Sequence, residues 1–196
     1  GNRSSGKMGF AIAAVAAERG AEVVLVAGPV HMATPAGVRR IDVRSAAQMH
    51  DAVMAALPCD AYIGAAAVAD FTPLAIASNK LKKQPGQDTL VLELVKTRDI
   101  LAEVAAHVAR PRLVVGFAAE TDNVAGYARG KLERKGVDVI CANRVGIAGG
   151  GFESDDNALL VIDRDGERAL GPASKTMLAG ELLDIVAGRL SARGVG

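Results

Sequence analysis

The residues best placed to do chemistry in this 196-residue chain stand in small groups, each where an apolar run gives way to polar residues. Gly1-Asn2-Arg3-Ser4-Ser5-Gly6-Lys7-Met8 approaches the phosphate loop G-x-x-x-x-G-K-S/T. Met8 lacks the hydroxyl that would hold magnesium, however, and the strand expected before such a loop is not in the sequence, so a P-loop nucleotidase is excluded. What remains is a Ser/Gly-rich loop entering a helix. Its free N–H groups and dipole would attract an anion by about 0.3–1 kcal/mol, unless the loop is an ordinary capped start. Asp70 ends the run Tyr62-Ile63-Gly64-Ala65-Ala66-Ala67-Val68-Ala69. The small residues of that run leave room for a flat ring, and the carboxylate suits a sugar, a base or a cation; a plain turn aspartate fits as well. Lys80, Lys82 and Lys83 lie in a loop ending Pro85-Gly86, either a solvated stretch or a flap that closes on phosphates. Lys96-Thr97-Arg98-Asp99-Ile100-Leu101 joins an apolar run to a helix start, a second candidate anion site with Arg98 beside it. Lys131 and Lys135 share one helix face at i,i+4 spacing, which by itself reads equally as a solvated charged face.

These groups need a scaffold, and the hydropathy pattern supplies one. Short β-branched runs alternate with Ala-rich segments of helical period. Strands are expected at Ala21–Ala27, Val38–Val43, Ala61–Ala66, Leu90–Val95, Leu113–Phe117 and Val137–Cys141. Helices are expected at Gly6–Arg19, Ala46–Leu57, Asp99–Ala109 and Asn123–Lys135, with Ser45 and Asp122 as N-caps and Gly20 and Gly136 as C-caps. Asn157–Asp163 and Glu167–Leu170 flank Arg164-Asp165-Gly166 as a hairpin, and Lys175–Leu190 closes the chain as a helix. Strands apolar on both faces and joined by helices imply an α/β fold: a Rossmann-like, mostly parallel sheet with helices on both faces, plus a C-terminal hairpin and helix. Ligands bind such sheets at the carboxyl ends of the strands, which is where the groups above fall.

Composition narrows the function. Half the residues are apolar and 23 Lys+Arg balance 22 Asp+Glu, so one domain over residues 1–196 is expected, with no nucleic-acid partner. No apolar run approaches the ~20 residues of a membrane span and no secretory leader opens the chain, which points to a cytoplasmic protein without a membrane partner. Cys59 and Cys141 have neither metal-ligand nor disulfide spacing, and His31, His50 and His107 are scattered. No metal ligand is assigned. Neither G-x-S-x-G nor a strand-to-helix G-x-G-x-x-G is present.

Asn2-Arg3-Ser4-Ser5-Gly6-Lys7-Met8-Gly9, Ala65-Ala66-Ala67-Val68-Ala69-Asp70-Phe71, Lys80-Leu81-Lys82-Lys83, Gly116-Phe117-Ala118-Ala119-Glu120-Thr121 and Cys141-Ala142-Asn143 together resemble the phosphopantothenate–cysteine ligase family. The resemblance runs over nearly the whole chain, with the five motifs in the family's order. It implies a dimer that uses CTP and Mg²⁺ to activate 4'-phosphopantothenate as an acyl-cytidylate, which the amine of L-cysteine then attacks, in coenzyme A biosynthesis. Under this resemblance Asn2 is the catalytic asparagine contacting the acyl group, and Lys80 is the catalytic flap lysine. Gly64, Ala65, Ala66, Asp70, Lys80, Arg98, Asp99, Ile100, Leu101, Phe117, Lys131 and Lys135 are the CTP positions, and Asn2, Ser4, Ser5 and Gly6 bind substrate phosphate. Arg98 stands where the family more often has Pro. The family also has an upstream strand with a Gly-Gly-Thr-Arg segment and, in bacterial fusions, a phosphopantothenoylcysteine decarboxylase domain before it. Such a domain, fused or associated, would carry the FMN.

Two other readings share the sheet. A flavin- or NAD(P)-dependent oxidoreductase would need a glycine fingerprint and an acidic ribose partner about 20 residues on. A non-catalytic nucleotide-binding or assembly domain would bind CTP without releasing pyrophosphate.

Overall fold

Runs of Val, Ile and Leu with no polar alternation can be strands only if both sheet faces are covered, and the computed structural model of the chain covers both. It describes residues 4–75, 77, 79–82, 89–120, 123–144 and 156–193. The element order is α1 (Lys7–Glu18), β1 (Val23–Ala27), β2 (Val38–Asp42), α2 (Ala46–Ala55), β3 (Ala61–Gly64), β4 (Phe71–Pro73), β5 (Leu94–Lys96), α3 (Ile100–Ala106), β6 (Leu113–Glu120), α4 (Val124–Lys135), β7 (Val139–Arg144), β8 (Asp156–Asp163), β9 (Glu167–Ser174) and α5 (Lys175–Ala192). The main sheet runs β3-β6-β7-β8-β9. β3, β6 and β7 are parallel, whereas β8 and β9 return antiparallel as the expected hairpin. β1 and β2 form a parallel pair of their own.

Strand alternation splits the core into two layers. Leu113 and Val115 of β6 pack with Ile12 and Val15 of α1 and Leu178, Leu182 and Val186 of α5. Val114 points the other way, into a layer with Val53 of α2, Ile100 and Val104 of α3, and Ala128 and Leu132 of α4. All three β6 residues are fully buried. At about 25 cal/mol per Å² of apolar area removed from water, burial on both faces of the central strands is the main force holding helices to sheet.

One expected strand takes a different place. Leu90–Val95 was expected inside the sheet, but its end, as β5, pairs antiparallel with β4 in a separate exposed ribbon. β5 instead takes as its partner β4, which precedes it in the element order, in an antiparallel pairing that needs no crossover over the sheet. The ribbon is tied back by Thr97, whose N–H donates to Asp70 O at 2.9 Å and whose hydroxyl donates to Ala69 O at 2.6 Å.

The expected caps hold where they are described. Ser45 Oγ accepts Gln48 N–H at 3.2 Å while Gln48 Oε1 accepts Arg44 N–H at 2.8 Å, a variant of the capping box. Gly136 ends α4 at φ 64, a left-handed conformation that favours glycine. Asp122 lies outside the described residues, and Asn123 occupies the N-cap of α4.

The ends of the central strands are locked by Asp138. Its Oδ2 accepts Val114 N–H at 2.7 Å and Arg110 at 2.8 Å, and Oδ1 accepts Arg193 at 2.8 Å, tying β6, the start of β7 and the end of α5 together. A second tight point is Gly171 in β9, at φ +80, where an added Cβ would lie 2.7 Å from Asn157 O. Gly171→Ala is expected to cost about 2 kcal/mol or more through left-handed strain and backbone collision, read as a lower urea midpoint at unchanged m-value.

Candidate functional site

Gly64 and Gly116 are register partners at the carboxyl end of β3, and their missing side chains decide what lies on the strands there. An added Cβ at Gly116 would lie 2.6 Å from Leu101 Cδ2, and one at Gly64 would lie 3.5 Å from Leu101 Cδ1. The first turn of α3 therefore lies directly on the two strands. Ile100 anchors that turn at 5% exposure.

Asp99 caps this helix, with Oδ1 accepting Ala102 N–H at 3.1 Å. Its other oxygen pairs with Lys135 of α4. Burial opposes ionisation of Asp99, but the hydrogen bond from Lys135, the cap from Ala102 and the charge of Lys131 together hold its carboxyl below the usual range. Lys131, one turn before Lys135, donates from Nζ to Phe117 O at 2.7 Å. Leu113 N–H bonds Asp60 O toward β3, so by alternation Phe117 O also faces the β3 side, past the end of the β3 ladder at Gly64. The lysine takes a carbonyl that a longer β3 would have used.

The structure thus brings Gly64, Asp99, Ile100, Leu101, Phe117, Lys131 and Lys135 to one place. Ala65 lies beside α1, 3.8 Å from where a Cβ on Gly9 would stand. At the start of α1, Ser4 Oγ accepts Gly6 N–H and Ser5 Oγ accepts Lys7 N–H, at 3.5 and 3.4 Å, around a left-handed Gly6 at φ 77. Ala66 and Asp70 are exposed past β3, with the Asp70 carbonyl tied to Thr97 next to Arg98. The Arg98 side chain folds onto Glu103 through Nε at 3.1 Å and Nη2 at 2.5 Å. Lys80 and Lys82 are exposed; among the described residues, no hydrogen bond or ion pair joins Lys80 to this cluster. Asn2 and Lys83 lie outside the described residues.

Tyr62, at the start of the run that ends at Asp70, has its Cε1 3.1 Å from where a Cβ on Gly64 would stand. Burial raises its phenol to about 12, helped by the charges of Asp99 and Cys59. Tyr62 stands two residues before Gly64, on the same face of β3. The phenol is expected to stay protonated until pH nears about 12, which absorbance at the phenolate band would check.

A family model described as the DNA/pantothenate metabolism flavoprotein C-terminal domain matches residues 1–190. The chain belongs to that family. Among relatives of this flavoprotein C-terminal domain, it is 52% identical over 186 residues to the "Coenzyme A biosynthesis bifunctional protein CoaBC" of Vibrio cholerae, which covers 94% of this chain. The chain spans 47% of that protein's length. A crystal structure of a CoaBC C-terminal domain superposes with a TM-score of 0.81 at 36% identity, covering 97% of this chain and 86% of that one. A Cab2 mutant complexed with phosphopantothenate-cysteine superposes with a TM-score of 0.74, covering 99% of this chain and 82% of that one; at 13% identity this likeness shows the flavoprotein C-terminal domain fold alone. Among the described residues of this family member, no helix is long and apolar enough to cross a membrane.

Proposed function

We propose that this domain performs the CTP-dependent ligation of 4'-phosphopantothenate to L-cysteine in the cytoplasm. The observation that carries the reading is the pairing of Lys135 with Asp99 and of Lys131 with Phe117 O at the ends of β3 and β6, in a chain half identical to coenzyme A biosynthesis proteins.

A carboxylate resists an amine because it is anionic and its oxygen is a poor leaving group. In the first step the phosphopantothenate carboxylate oxygen bonds to the α-phosphorus of CTP, and the bond to the β-phosphate oxygen breaks to release pyrophosphate. In the second, the cysteine amine attacks the acyl carbon of the cytidylate, loses a proton and expels CMP, giving 4'-phosphopantothenoylcysteine. Gathering these anions requires cations held ready. Lys131 and Lys135 supply charge where a nucleotide would lie on Gly64, Ala65 and Ala66. The flap Lys80 would meet the phosphates, and Ser4, Ser5 and Gly6 at the start of α1 would take substrate phosphate. Asp70 is placed for the nucleotide's sugar or base, and the Asn2 amide would donate to the acyl oxygen as charge develops.

Among the described residues no three His, Cys, Asp or Glu side chains gather as a metal cage. Mg²⁺ fits this site carried on the nucleotide's phosphates, in keeping with its preference for few protein ligands; bound there it would neutralise phosphate charge.

The β4–β5 ribbon supports a homodimer. Phe71, Leu74, Leu92 and Leu94 are all more than half exposed around it, and apolar surface of this kind is usually covered by a partner. We also keep two further readings: an upstream strand running between β1 and β3, which do not pair with each other, and a decarboxylase domain before it that would hold FMN.

The test is pyrophosphate release from CTP with 4'-phosphopantothenate, with and without cysteine, on this chain and on a version extended upstream. Release that requires phosphopantothenate, with CMP appearing only after cysteine is added, is the expected result. CTP binding with no pyrophosphate from either version would falsify the ligase reading in favour of a binding domain.

A further inference from the structure

Between α2 and α3 lies a polar cluster in which Arg98, one of the expected CTP positions, meets three residues that the ligation chemistry leaves unused: His50, Asp51 and Glu103. His50 is only 4% exposed. Its Nε2 lies 3.1 Å from Glu103 Oε2. Its Nδ1 lies 3.0 Å from Asp51 Oδ1 and 3.3 Å from Arg98 Nη1. Those two neighbours make opposite demands on one nitrogen: Nδ1 donates to Asp51 only when it carries a proton, and accepts from Arg98 only when it does not. With Nε2–H on Glu103 in both states, a proton on Nδ1 exchanges Arg98 for Asp51 and turns the guanidinium into a like charge at close range.

The charged groups facing the ring are Asp51 from α2 itself, Glu103 from α3 and Arg98 from the segment before α3. β1, also packed against α2, is wholly apolar. Glu103 grips Arg98 by two oxygens, and that hydrogen bonding, with His50 adding to it, holds the Glu103 carboxyl below its usual range.

We propose that His50 is a positioning residue for the nucleotide site: the proton on Nδ1 decides whether the Nη1 edge of the Arg98 guanidinium is held against α2 or freed from it, while Glu103 keeps its grip on Nε and Nη2. The inference rests on the nucleotide reading above. Arg98 immediately precedes Asp99, whose partner is Lys135, so an Nη1 edge freed from His50 is a charged donor available to the nucleotide's phosphates. Histidine is the side chain that changes charge between about pH 5 and 8. Acid should therefore strengthen CTP binding.

The experiment measures the CTP dissociation constant from about pH 6 to pH 8, together with ¹⁵N spectra of the His50 ring in the parent chain. Expected is a constant about threefold or more lower at the acid end. That difference should disappear in His50→Gln, which keeps a donor and an acceptor but does not titrate, and in Arg98→Ala. The spectra should show Nε2 protonated and Nδ1 bare at the alkaline end, a preference lost in Arg98→Ala. A profile in His50→Gln superimposable on the parent's overturns the proposal, as does a ring protonated at Nδ1 at the alkaline end. Absence of CTP binding at every pH refutes the nucleotide reading instead, and the ring tautomer then still decides whether Nδ1 holds Arg98.

Discussion

Lys80→Gln is expected to slow pyrophosphate release by about 10²-fold or more, the usual consequence of removing a charge aimed at a transition state. In the proposed activation step negative charge concentrates on the departing pyrophosphate, and a neutral amide cannot offset it as an ammonium does. The loss should appear in the rate and not in folding, because Lys80 is exposed and exposed substitutions usually shift stability by about 0.5 kcal/mol at most. Asn2→Asp should divide the two steps differently. In the role proposed for Asn2 the amide donor would be replaced by an anionic acceptor, so pyrophosphate would still be released while CMP formation on adding cysteine is suppressed. A single-turnover assay following both products separates the outcomes; CMP formed by Asn2→Asp at the parent's rate would remove the role given to Asn2.

The largest effect on stability is expected at Asp138. Asp138→Ala removes a side chain only 9% exposed. It leaves the Val114 N–H without its acceptor and the guanidinium groups of Arg110 and Arg193 without their shared carboxylate. Leaving a buried donor and paired charges uncompensated costs about 3 kcal/mol, and in a domain of this size shifts the melting temperature by roughly 6–12 °C. The pH dependence has a definite sign. Burial opposes ionisation of Asp138, but the hydrogen bonds from Arg193 and Val114 and the charge of Arg110 outweigh it, so the folded carboxyl titrates below its ordinary value. Its stabilisation is therefore complete above the unfolded value of about 3.9 and is lost as pH falls through the lower folded value. Acid unfolding curves of the parent and Asp138→Asn should converge at the acid end and separate above it; curves equally spaced at every pH would show that the carboxylate's charge contributes nothing.

Much of the scaffold was legible in local pattern. Leu113–Phe117 and Val137–Cys141 read as strands because their apolar runs have no polar alternation, and the structure covers both faces of each. Ser45 and Gly136 marked helix ends because capping depends on one hydroxyl or one left-handed backbone, which a residue type reveals. The i,i+4 spacing placed Lys131 and Lys135 on one face, but left open whether that face met water or a site. Only the fold supplied their partners, Phe117 O and Asp99, which lie 14 and 36 residues away.

Leu90–Val95 shows the same limit from the other side. Only its last two residues entered a strand, Leu94–Lys96, and the partner of that strand, β4, was not marked by any apolar run. Arg98 and His50 are a third instance, joined across 48 residues by a contact that no local spacing encodes. By itself the sequence determined the α/β class, most element types though not the short strand β4, and the glycines and lysines at strand ends, because these follow from short-range sterics, capping and periodic hydropathy. The tertiary structure alone decided which strand lies beside which, which cation faces which carboxylate, and which nitrogen of a buried imidazole is contested. Those are distances between residues far apart in the chain, set by the packing of whole layers.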